Sequence, residues 1–205
     1  MSDADKRFHE QWIGTVQPSE GLVVSLPVLV DAQCAEKQPR ELHQAFLACL
    51  EEDPEGRLRV ADLATLFATV LDLGADRFDA GEALPRELGL YVVEGKQQLR
   101  PTRALRVRKA REGGLAAGDS TPAALAGRPY AMLVWEVPPA VDRLDKPEAV
   151  TGAWEYPAQA KLERLLRECR VPIGLLCNGY ELRLVYAPHG ESSGWLSFRV
   201  GDMAQ

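Results

Sequence analysis

The sequence predicts an α+β domain built in layers, with a mixed β-sheet flanked by helices. Three observations carry that expectation. First, two β-prone runs, Ile173–Cys177 and Leu182–Tyr186, are separated by Asn178-Gly179, a dipeptide whose residues accept the positive φ of a tight hairpin. Second, residues Ala158–Arg170 place Leu162, Leu165, Leu166 and Cys169 at helical spacing, which gives an amphipathic helix just before that hairpin. Third, YAMLVWEV (130–137) is short and almost wholly apolar, as expected of a strand covered on both faces.

The remaining elements follow in chain order. GLVVSLPVLV (21–30) is rich in β-branched residues and reads as one strand, with Pro27 marking an edge or a break. Residues Arg40–Leu50 and Val60–Leu71 carry apolar residues at helical spacing, and EEDPEGR between them reads as a turn. GADRFDAGEALPREL (74–88) is punctuated by Gly and Pro and reads as loop or short helix. From Leu88 the character turns to β: LGLYVV and QLRPTRALRV flank a short EGKQ connection as a second hairpin. EGGLAAGDSTPAALAGRP (112–129) has no period and reads as a loose connection. The four-proline stretch 138–157 is a long loop, a class often kept for function. WLSFRV (195–200) supplies a last strand. Two units are expected: a mostly helical segment, 1–87, packed on a mixed-sheet core, 88–205.

Composition limits the function classes. Hydrophobic residues make up 46% and charged residues 26% of 205, an ordinary globular balance. No apolar run approaches the roughly 18–20 residues of a membrane span. MSDADKRFHEQW at the N-terminus has no apolar core of a signal peptide, so the expected location is cytoplasmic, with no membrane partner. Cys34, Cys49, Cys169 and Cys177 form no Cys-x-x-Cys and have no His at ligand spacing; reduced core thiols are the simplest reading. The net charge of −6 argues against a broad phosphate-binding footprint. A local basic stripe nevertheless exists. Arg100, Arg103, Arg106, Arg108, Lys109 and Arg111 crowd RPTRALRVRKAR, where alternation along a strand aims Arg106 and Arg108 together as candidate DNA contacts. The plainer alternative is an edge strand kept soluble by charge.

Catalytic motifs are mostly excluded. Gly190-x-Ser192-x-Gly194 matches a nucleophile-elbow string, but a strand rather than a helix follows it and no His lies downstream. There is no phosphate-binding loop, and His9, His43 and His189 are isolated. Glu136 is the exception. A carboxylate closing a buried strand needs a hydrogen bond, a counter-charge or a metal, unless it simply emerges into solvent.

The order strand pair, strand ending in Glu136, helix, strand-Asn178-Gly179-strand resembles the nuclease-like N-terminal domain of restriction–modification enzymes. It is most similar to the type IIG class, in which that domain precedes an adenine DNA methyltransferase, and it is similar also to the N-terminal domain of type I restriction R subunits. The resemblance spans about Leu88–Ala187 and rests on LVWEV, AQAKLERLL and IGLLCNGYELRLVY. It implies a restriction-endonuclease-like core, in which an Asp and a Glu hold Mg²⁺ and a Lys two residues after the Glu orients the attacking water. Here Pro101 is followed by Thr102 instead of Asp, and Pro138 stands at the Lys position. Only Glu136 remains as a metal ligand. Gln159 occupies the place of a family helix Gln, and Asn178 and Gly179 keep the hairpin motif.

The resemblance therefore implies a catalytically degenerate domain without its own cofactor, acting as a scaffold or as a contact for DNA, a methyltransferase domain or another restriction–modification subunit. A longer chain, continuing into a methyltransferase, is expected. An active Mg²⁺-dependent endonuclease would need Glu136 with relocated partners such as Glu155 and Lys161, or Lys146. An interaction domain with no nucleic-acid role is the third alternative.

Overall fold

The computed structural model describes residues 26–31, 38–107, 127–147 and 155–205. Its architecture is α+β: a six-stranded mixed sheet with helices on both faces. In chain order the elements are α1 (Leu26–Asp31), α2 (Arg40–Leu47), β1 (Leu50–Glu52), β2 (Leu58–Val60), α3 (Leu63–Val70), β3 (Phe78–Ala80), β4 (Leu90–Val92), β5 (Gln97–Leu99), β6 (Arg103–Arg106), β7 (Tyr130–Glu136), α4 (Ala158–Cys169), β8 (Ile173–Cys177), β9 (Glu181–Tyr186), β10 (Gly194–Arg199) and α5 (Val200–Met203). The main sheet runs β10-β9-β8-β7-β6-β3. Among the described strands only β7 and β8 pair in parallel, and α4 lies in the crossover that joins them.

The apolar strand, the helix and the hairpin around Asn178-Gly179 form as the sequence predicts. The hairpin turn differs in its chemistry. Three residues connect β8 to β9, and only Gly179 has positive φ, at 91°. Asn178 acts through its side chain instead: Oδ1 accepts from the backbone N–H of Tyr180 (3.0 Å) and Glu181 (2.8 Å), while Nδ2 donates to the Val141 carbonyl at 2.8 Å.

Other expectations are corrected. Leu26–Asp31 is helical and not part of a strand. Proline's fixed φ suits a first helical turn, so Pro27 starts a helix there where it would interrupt a strand. Residues 21–25 lie outside the described residues. EEDPEGR is more than a turn, because it closes the β1–β2 hairpin, with the Asp53 carboxylate accepting from the Glu55 and Arg57 backbones. The first helix accordingly ends at Leu47, and the second begins at Leu63 behind Asp62, whose carboxylate caps Ala64 and Thr65. The stretch 88–107 is not one hairpin. β4 pairs with β5 in a separate two-stranded sheet, Pro101 breaks the strand, and β6 joins the main sheet between β3 and β7. Most of the loose connection, at 108–126, and part of the long loop, at 148–154, lie outside the described residues.

Two apolar layers sandwich the sheet. On one face Leu162, Leu165 and Leu166 of α4 pack with Leu133, Leu176 and Val185, together with Val92 and Leu99 of the small hairpin. On the other, Phe46, Leu63, Leu66 and Phe67 of α2 and α3 pack with Phe78, Val134, Leu175 and Cys177. The division at residue 87/88 thus cuts through a shared core. The edge strand β3 precedes it yet belongs to the main sheet, and the α2–α3 layer that covers one face of that sheet precedes it too.

Candidate functional site around Glu136

Alternation along β7 decides which way Glu136 points. Leu133 packs toward α4, while Met132 and Val134 pack toward α2 and α3, so Glu136 takes the α2–α3 face. The strand is held tightly at this point. Glu136 is in register with Cys177 of β8, and the Val137 N–H donates to the Cys177 carbonyl at 2.8 Å. On the other side, Thr102 docks against the strand end. Its backbone N–H donates to the Val134 carbonyl at 2.8 Å, its hydroxyl donates to the same carbonyl at 3.0 Å, and that hydroxyl accepts from the Glu136 N–H at 3.2 Å. Positions 102 and 136, far apart in sequence, are therefore hydrogen-bonded neighbours.

The Glu136 carboxylate has a cationic partner. Arg103 Nε donates to Glu136 Oε1 at 3.0 Å, with the two side chains 25% and 33% exposed. Arg103 also lies close enough to Asp62 to contribute, after the Thr65 and Ala64 hydrogen bonds, to keeping that carboxyl below its usual range. The guanidinium thus supplies positive charge where the resemblance would place a metal ion. Among the described residues, no three or more His, Cys, Asp or Glu side chains are grouped to hold a metal.

Of the relocated partners, Lys161, 2% exposed, stands on α4, the helix that covers the other side of the sheet from Glu136, as does Gln159. Glu155 and Lys146 are exposed. Pro138 is exposed just beyond the strand.

The described members of the basic stripe, Arg100, Arg103 and Arg106, are engaged within the fold. Arg100 donates to the Leu84 carbonyl at 2.7 Å, and Arg103 holds Glu136. Arg106 grips the Asp79 carboxylate through Nε (3.1 Å) and Nη2, and the Asp76 carbonyl through Nη1 at 3.0 Å. Tyr130 completes this cluster, with its hydroxyl donating to Asp79 Oδ2 at 2.6 Å. The Arg106 guanidinium, followed by the Tyr130 hydroxyl, holds the Asp79 carboxyl below its ordinary range. Burial, reinforced by Asp79, pushes Tyr130 up to about 12. Alternation along β6 puts Arg106 on the face of Ala104, the residue in register with Asp79, and the extra residue at the Leu105/Arg106 register shift is Ala131 of β7. Arg106 grips Asp79 while its side chain stays half exposed. Arg108, Lys109 and Arg111 lie outside the described residues.

Sequence reasoning missed a second buried cation on the α4 face. Arg183, 6% exposed, sits in β9 between α4 and β10. Its Nε donates to Glu181 (2.8 Å) and to Ser197 Oγ (3.0 Å), its Nη1 donates to Gln159 Oε1, and its Nη2 pairs with Glu181 at 2.6 Å. Gln159 passes the chain on to Glu163 at 3.0 Å, and Ser193 closes it with a 2.7 Å bond to Glu163. The signal was present. In ELRLVY, Arg183 shares its face with Val185, so a charge had to enter an apolar layer. Gln159 is thus a structural hydrogen-bond partner of Arg183.

Cys49, Cys169 and Cys177 are free thiols, and burial pushes both Cys169 and Cys177 up to about 11. Cys34 lies outside the described residues. No helix among the described residues is long and apolar enough to cross a membrane. No protein-family model, curated protein or solved structure matches the chain.

Proposed function

We propose that the chain is a nuclease-like N-terminal domain of a DNA restriction–modification or phage-defence methyltransferase, catalytically degenerate, and retained as a scaffold that contacts its methyltransferase, another subunit or DNA. The observation that carries this reading is the pairing of positions 102 and 136 at the end of β7, with the Arg103 guanidinium on Glu136. The strand order supports it. Three antiparallel strands, β3, β6 and β7, are followed by a helical crossover to a strand parallel with the last of them. The resemblance expects two carboxylates at that pairing; Thr102 and an ion-paired Glu136 occupy it. Arg103 neutralises the one remaining carboxylate and leaves it poorly placed to attract Mg²⁺.

The engagement of Arg100, Arg103 and Arg106 within the fold favours a protein contact over a phosphate contact for this surface. Incubating supercoiled plasmid with the purified chain and Mg²⁺ or Mn²⁺, beside Glu136→Ala, tests the degenerate reading. Neither protein is expected to nick. Nicking by the unaltered chain that disappears in the variant would establish an active endonuclease. Extending the gene sequence past Gln205 tests the family: an adenine methyltransferase is expected there, and its absence counts against the assignment.

A further inference from the structure

The two edges of the main sheet are built differently. The β3 edge carries usual protections: it is three residues long, and the charged Asp79 points inward. The β10 edge carries none of these along its length. It pairs with β9 in unbroken register from Gly194↔Tyr186 to Arg199↔Glu181, without proline or bulge, and its one charge is the terminal Arg199.

The hydrogen-bond phase shows what this edge offers. The Val200 N–H donates to the Tyr180 carbonyl at 2.9 Å, so by alternation Phe198, Leu196 and Gly194 also bond toward β9. The backbones of Trp195 and Ser197 and the Arg199 N–H then face away, and no other described segment bonds to them, while the Arg199 carbonyl opens α5.

We propose that β10 is the interface of a symmetric homodimer, in which a second copy adds its own β10 antiparallel and joins the two sheets into one. This inference is independent of the restriction–modification reading. The strand is complementary to itself about a two-fold axis at Ser197. In that register each Ser197 N–H meets the Ser197 carbonyl of the other copy, and each Arg199 N–H meets a Trp195 carbonyl. Trp195 lies opposite Arg199, a favourable cation–aromatic pair, on the α4 face. On the other face Leu196 lies opposite Phe198, which is 43% exposed in the single chain. Both pairs occur twice, as an isologous contact requires.

Sedimentation velocity of the full chain, from micromolar to hundreds of micromolar, tests this. The unaltered chain is expected to reach twice the 22.6 kDa of one copy. Arg199→Pro removes an outward N–H at a residue whose φ of −80° proline adopts, and so spares the fold. Phe198→Lys places charges opposite Leu196. Each variant is expected to halve the mass at concentrations where the unaltered chain is dimeric, with unchanged circular dichroism. A monomer at every concentration, or a dimer that persists in the folded variants, overturns the proposal.

Discussion

Asp53 shows how much one side chain accomplishes in this fold. Its carboxylate accepts from the Tyr180 hydroxyl at 2.7 Å and from Arg57 Nε at 2.9 Å, while the Arg57 guanidinium lies 4.4 Å from the centre of the Tyr180 ring. Together with the Val60 N–H on the Gly179 carbonyl, these contacts tie the β1–β2 turn to the β8–β9 turn. The Tyr180 hydroxyl, ahead of the Arg57 contacts, lowers the Asp53 carboxyl from 3.8 to about 2. A depressed carboxyl stabilises the fold above its unfolded value and loses that contribution as acid protonates it. Stability is therefore expected to fall between pH 4 and pH 2. Asp53→Asn is expected to lower the melting temperature at neutral pH and to flatten that acid limb, as melting curves across the pH range would show. A slope unchanged by the substitution would place the acid sensitivity elsewhere. Gly174 is a residue of another kind, since a Cβ there would stand 2.9 Å from Leu166 Cδ1 and 3.1 Å from Leu162 Cδ2. Gly174→Ala is expected to cost about 1–3 kcal/mol by overpacking, measured by urea unfolding. Glycine at this position was visible in the sequence, but its reason was not, because the clash comes from a helix that packs there only in the folded chain.

At the scale of elements, α4 is fastened to β9 and β10 by both apolar packing and the Arg183 network. Removing one partner from a buried, charged network leaves the others uncompensated. Arg183→Ala is expected to destabilise by about 3–5 kcal/mol. The Arg103–Glu136 pair is partly open to solvent, so Arg103→Ala is expected to cost about 1 kcal/mol or less. Chemical denaturation of both variants side by side tests that ordering, and equal costs would mean the exposure difference does not govern these pairs. The α4 helix and the β8–β9 hairpin were legible because their signals are local: period 3.6, period 2 and a turn dipeptide. β1, β2 and β3, each three residues long, were not, because strands so short carry no periodic signal and exist only by pairing.

At the scale of the molecule, the sheet is covered on both faces by segments from both halves of the chain. A piece beginning at Leu88 would lack β3 and would expose Val134, Leu175 and Cys177, normally covered by α2 and α3. The whole chain is expected to unfold in one urea transition, and residues 88–205 alone are expected not to fold, as circular dichroism would show. Two separate transitions would restore a two-unit chain.

The sequence by itself determined the layered α+β class, the apolar strand β7, the helix α4, the β8–β9 hairpin and the presence of a carboxylate at the end of a buried strand. Each depends on residues within one element, where spacing and conformational preference act directly. Tertiary structure alone decided that Thr102 meets Glu136, that Arg103 and Arg106 serve carboxylates of their own chain, that Arg183 is buried, and that one sheet edge is protected while the other pairs with no further described segment. Those outcomes depend on which strands become neighbours and in what register. That is fixed by burying both faces of the sheet at once, a condition no single segment expresses.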